Sequence, residues 1–101
     1  MTAHEEVANL LRQAIRGEID CESLNYINWY LVNEPTVTIG AWEITFFIEA
    51  NWINDIYDAK SPDGRFFEFS PAAENSGIEL FLNDEEVRSL CLRLGATLPE
   101  N

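Results

Sequence analysis

A chain of 101 residues with eighteen carboxylates, six basic residues and a formal net charge of −12 has the length of one domain and is too acidic to neutralise phosphates itself, which disfavours direct nucleic-acid binding. Hydrophobic residues at 47 %, with six Phe, three Trp and three Tyr, exclude an acidic disordered tail and leave enough apolar surface for a core. No run approaches the ~18 apolar residues of a membrane span, and the start at Met1-Thr2-Ala3-His4 has neither the basic nor the apolar stretch of a secretory signal.

The first element is a predicted helix. Thr2 and Glu5 form a Thr-x-x-Glu capping box, and Val7, Leu10, Leu11, Ala14 and Ile15 follow at helical spacing until Gly17 stops it. Residues 18–25 read as a connection. The aromatic and β-branched run Tyr26–Val32 reads as a strand, broken at Asn33-Glu34-Pro35. Thr36–Ile39 and Trp42–Glu49 then flank Gly40-Ala41, the composition of a two-residue type II′ hairpin turn. The second arm alternates: Trp42, Ile44, Phe46 and Ile48 on one face, Glu43, Thr45, Phe47 and Glu49 on the other.

A further strand is expected from Trp52 to Ala59. Ser61-Pro62-Asp63-Gly64 turns the chain, and Arg65–Phe69 returns it. Residues 70–77 have loop composition, and 78–82 fit a short strand or a helical turn equally well. Asn83 with Glu86 repeats the capping box; Val87, Leu90, Cys91 and Leu94 line one face of a second helix, and Gly95 ends it. The last six residues are expected to fray. The fold class is therefore α+β: one domain over residues 1–101, an antiparallel meander of four to five strands covered on one face by an N-terminal and a C-terminal helix.

Chemical motifs are scarce. His4 reads as an exposed residue of the first helical turn. His4, Cys21 and Cys91 lack the short ligand spacings of a zinc site and the context of a Cys–His nucleophile. Cys21 and Cys91 fit reduced thiols in a cytoplasmic protein. There is no calcium-loop pattern and no phosphate-binding glycine loop, so neither metal nor cofactor is expected, and no enzymatic activity.

What remains is a surface. Acidic residues recur through the sheet (Glu34, Glu43, Glu49, Asp55, Asp58, Asp63, Glu68), with Trp29, Tyr30, Phe47, Trp52, Tyr57 and Phe67 among them. Trp42, Phe46 and Phe66 are assigned to the core. Glu43, Glu49, Asp55, Asp58 and Glu68 are the candidate charges of a partner site, and Phe47, Trp52 and Tyr57 its anchors, since aromatic anchors within a charged rim are the composition of binding hot spots.

The Gly40-Ala41-Trp42 hairpin, the Pro62-Asp63-Gly64-Arg65 turn and the Leu-rich C-terminal helix resemble small bacterial proteins of a domain of unknown function, over about residues 36–94. That resemblance implies a fold and no activity. In type, the chain is also similar to immunity proteins that cap nuclease toxins and to phage inhibitors of anti-phage defence complexes, though no residue motif carries this likeness. The expectation is a non-enzymatic acidic inhibitor whose partner is a basic, nucleic-acid-handling protein. Two alternatives stand beside it: an accessory subunit or homodimer pairing through a sheet edge, and a small enzyme or ligand binder using Cys21, Cys91 or His4.

Overall fold

The computed structural model describes residues 1–25, 29–31 and 33–97. Helix α1 spans Ala3–Ile15, strands β1 to β4 span Thr36–Ile39, Trp42–Glu49, Trp52–Lys60 and Phe66–Glu68, and helix α2 spans Asp84–Arg93. Short 3-10 turns at Pro71–Ala73 and Ile78–Leu80 connect β4 to α2. The strands form one antiparallel sheet in the order β1-β2-β3-β4. With α1 and α2 packed together and against β1 and β3, the architecture is the expected α+β meander with two helices.

Both helices start and stop for identifiable reasons. The Thr2 hydroxyl accepts from the Glu5 N–H at 3.1 Å and the Glu5 carboxylate accepts from the Thr2 N–H at 3.4 Å. In α2 the same reciprocal pair joins Asn83 and Glu86, at 2.8 and 2.9 Å. Each helix closes in a Schellman motif. Glu18 N–H reaches the Gln13 carbonyl and Gly17 N–H that of Ala14; Ala96 N–H reaches Cys91 and Gly95 N–H reaches Leu92. Gly17 and Gly95 take φ of +76° and +100°, which a side chain would oppose.

That second motif corrects one expectation. Residues 96 and 97 do not fray: Ala96 is buried, and the Thr97 carbonyl accepts from the Asn51 side-chain amide. Residues 98–101 lie outside the described residues. The strand expected over 26–32 is also corrected where it is described, because Trp29 and Tyr30 are helical and Trp29 is buried in the core. The rest of that run lies outside the described residues, apart from Leu31, which is in a turn. For 78–82 the structure chooses the helical turn. The connection after α1 does more than connect: Cys21 bridges to Ile39, and Glu22 and Gly40 N–H groups bond the Thr38 and Asp20 carbonyls, so residues 20–22 lie along the β1 edge.

The sheet buries one face. Ile44 pairs with Ala59, Phe46 with Ile56 and Ile48 with Ile53, and all six are fully buried with Val37 and Ile39 under Val7, Leu11, Ala14, Val87, Leu90 and Leu94. Each of the larger of these side chains, from Val to Phe, contributes about 1.5–3 kcal/mol relative to exposure. The inward residues of β3 are three apart, a spacing a flat strand cannot keep on one side. Two bulges resolve this: the register passes over Asn54 and Tyr57, so each is an extra residue opposite β2.

The helices are tied together by charge as well. Arg12 Nε donates to Glu86 at 2.7 Å and its Nη2 to the Phe81 carbonyl at 3.3 Å; Arg93 Nε donates to the Ala14 carbonyl at 3.0 Å. Arg65 holds the β3–β4 turn to α1 with a bidentate grip on Glu6 at 2.6 and 3.1 Å, bonds Asp63, and lies over the Phe67 ring. The Arg12 guanidinium and the Asn83 N–H hold the Glu86 carboxyl below its ordinary 4.5. A carboxyl depressed in the fold contributes stability that is complete above about 4.5 and lost as pH falls through the lower folded value. Glu86→Gln keeps an acceptor for the Asn83 N–H and removes the charge. Urea unfolding across pH is expected to show a loss of about 0.5 kcal/mol near neutrality, a partly exposed pair being screened, and a flatter decline on the acid side. A variant profile parallel to that of the parent would contradict this assignment.

Candidate partner interface on the open face of the sheet

Residues opposite each other in an antiparallel ladder share a face. The register therefore places Glu43 with Lys60, Thr45 with Asp58, Phe47 with Asp55 and Glu49 with Trp52 on the side away from the helices, and Glu68 opposite Asp58 on that same side. Tyr57, on its bulge, stacks on Phe47 with ring centroids 5.6 Å apart. The register and the stack thus put all eight candidate partner residues on the outer face, although Trp52 is half-buried and packs against the core. They do not form one tight cluster: Phe47, Asp55, Tyr57, Asp58 and Glu68 are grouped, while Glu43 and Glu49 sit toward opposite ends of β2, about 20 Å apart at ~3.4 Å per residue.

Other assignments differ. Phe66 pairs with Lys60 and is 57 % exposed on the outer face, whereas Phe67 pairs with Ala59 on the inner face and stacks on Trp42 at 6.1 Å. The core reading of Phe66 is corrected: two adjacent phenylalanines offer no parity signal, and only the register decides which points inward. Phe46 is fully buried and Trp42 half-buried, in keeping with their core assignment. Asp63 belongs to the Arg65 turn. His4 is not a plain surface residue. Its ring lies 4.8 Å from both Phe69 and Phe81, and Nε2 donates to the Asn75 carbonyl at 2.8 Å, pinning α1 to the loop after β4. Its distant partners leave no trace in local spacing.

A cleft of about 420 Å³ opens on this face, lined by Glu34, Thr45, Tyr57, Asp58, Glu68, Phe69, Ser70 and Pro71. Glu34 reaches it because residues 33–35 prolong the line of β1: Phe46 and Ile48 N–H groups bond the Pro35 and Asn33 carbonyls. Burial, then the Asp55 and Glu34 carboxylates, push the Tyr57 phenol above its ordinary 10.0. Asp55 accepts from the Ser76 hydroxyl at 3.0 Å. Asp58 and Glu68 face each other directly, an arrangement that opposes strand pairing. The arginines Arg12, Arg65 and Arg93 spend their bonds on Glu86, Glu6, Asp63 and the Ala14 carbonyl, away from this face.

The thiols are shifted away from reactivity. Burial pushes fully buried Cys91 up to about 11 and also raises Cys21, whose Sγ lies 3.8 Å from the Arg93 carbonyl; activated thiols are shifted the other way. Among the described residues, no three His, Cys, Asp or Glu converge to hold a metal ion. Among the same residues, no helix is long and apolar enough to cross a membrane.

Fold and face together define a class: a two-layer α+β protein with helices on one side of an antiparallel sheet and acidic and aromatic residues on the other. The chain belongs to the family described as a domain of unknown function (DUF7693), whose model matches residues 2–96. The match takes in α1 as well as the hairpin and turn motifs. No curated protein and no solved structure matches the chain.

Asp58→Asn removes one charge of the Asp58/Glu68 opposition at constant size. The thermal midpoint at low salt is expected to rise by roughly 2–4 °C, the equivalent of about 0.5 kcal/mol in a domain of this length. An unchanged or lower midpoint would show that the two carboxylates do not repel in the fold.

Proposed function

We propose that this protein is a non-enzymatic acidic inhibitor of the immunity type, which binds a basic, nucleic-acid-handling protein such as a nuclease and blocks its substrate site. One observation carries the reading: a whole sheet face is left uncovered by α1 and α2, and carboxylates surround an aromatic stack on it. Complementary charge speeds encounter and suppresses wrong partners. Aromatic anchors then slow dissociation. The unpaired thiols Cys21 and Cys91 suit a reducing compartment, and we place the protein in the cytoplasm. Pairing with a second chain through a sheet edge has less support, because residues 20–22 already occupy the β1 edge and β4 has only three residues.

The test is capture of basic proteins from host lysate at low and raised sodium chloride, using the parent chain and the double variant Glu43→Lys/Glu49→Lys. The parent is expected to retain a basic nucleic-acid-handling partner at low salt and release it as salt rises. The double variant is expected to lose at least about tenfold in affinity, as reversal of interfacial charges produces. A partner held equally by both proteins, or one indifferent to salt, would overturn the proposal.

A further inference from the structure

The proposal above leaves open what the partner must present. We infer that the cleft beside Tyr57 receives an arginine side chain from that partner; the inference rests on the inhibitor reading and deepens it.

The cleft has walls of opposite character to such a side chain. Among the described residues, Glu34, Asp58 and Glu68 line it and no basic residue does. Its aromatic side is the Tyr57 ring, presented by the second β3 bulge and backed by Phe47 at 5.6 Å. It is a shallow, open groove of about 420 Å³, with room for one side chain to lie along the Tyr57 ring. The cross-strand opposition of Asp58 and Glu68 is a local conflict in a fold whose caps, turns and core otherwise agree. A cation between them turns that conflict into attraction.

The chemistry favours guanidinium over ammonium. Guanidinium is planar, so it lies flat on an aromatic ring while its edge donates to carboxylates, and it gives up water more readily. A lysine ammonium keeps its hydration and has no face to stack. Anionic ligands are repelled by the three carboxylates, and an apolar peptide would leave them desolvated without partners.

The experiment titrates isotope-labelled full-length protein with hexa-arginine and with hexa-lysine peptides of equal charge, following backbone and Tyr57 ring resonances. The arginine peptide is expected to bind about tenfold more tightly, the equivalent of about 1.4 kcal/mol, with shifts centred on Thr45, Tyr57, Asp58 and Glu68. Tyr57→Leu is expected to erase the preference for arginine, and Glu68→Gln to weaken binding of both peptides; a native-like spectrum of each variant secures the comparison. Equal affinity for the two peptides, shifts centred on the acidic start of α2, or an arginine preference that survives Tyr57→Leu would overturn the inference. Those results leave the inhibitor reading standing if salt-sensitive capture of a basic partner persists. Loss of that capture removes the reading itself.

Discussion

The structure depends on covering the sheet from one side only. Five arginines and one lysine in a chain this acidic cannot hold layers together by ion pairs alone, so the work falls to apolar burial between α1, α2 and the inner sheet face. The cross-strand pairs Ile44/Ala59, Phe46/Ile56 and Ile48/Ile53 make that face continuous. They meet only because β3 carries two extra residues. Without the bulges at Asn54 and Tyr57, the three-residue spacing of Ile53, Ile56 and Ala59 would turn one of them toward water.

The same device shapes the other face. The bulge that keeps Ile56 and Ala59 inward lifts Tyr57 onto Phe47 and beside the cleft. One backbone irregularity thus serves core and surface at once. The outer face gathers features that do little for stability: Asp58 against Glu68 and exposed Phe66. At the end of the sheet, Ala50 and Asn51 of the β2–β3 turn both take left-handed φ, at 52° and 66°, and Asn51 is buried and bonded to the Trp29 and Thr97 carbonyls. Ala50 in that conformation costs about 1 kcal/mol. Three arginines have identified carboxylate partners away from the outer face: Arg12 clamps the two helices, Arg65 fastens the β3–β4 turn to α1, and Arg16 pairs with Glu18 just after α1. On the outer face the register sets Lys60 opposite Glu43, while Asp55, Asp58 and Glu68 have no basic cross-strand partner.

Much of this was legible in the residues. The two capping boxes, the glycine helix stops, the Gly40 turn and the alternation of β2 each follow from local physics, and each is present. The alternation of β2 puts Glu43, Phe47 and Glu49 on one face. That Asp55, Tyr57 and Asp58 join them depends on the two β3 bulges, which strict alternation does not show. What was not legible depended on register or on distant partners. Nothing in Phe66-Phe67 says which ring turns inward, since the answer lies in the pairing with Lys60 and Ala59. The β-rich composition around Trp29 gave way to helix where tertiary packing buries the indole. His4 owes its place to Phe69, Phe81 and Asn75, more than sixty positions away. Glu34 enters the cleft only because residues 33–35 continue β1 past its last ladder pair.

At the centre of the account is a division of labour between the two sides of one sheet, and two neighbouring residues of the same kind test it. Phe46 is fully buried on the inner face, and Phe47 stacks on Tyr57 on the outer one. Urea unfolding of Phe46→Ala and Phe47→Ala under identical conditions is the direct measurement. Phe46→Ala is expected to cost about 3–5 kcal/mol, and Phe47→Ala no more than about 1.5 kcal/mol, the scale of an aromatic pair contact. Comparable losses, or a larger one at Phe47, would mean that the open face helps hold the molecule together and is not held in reserve for a partner.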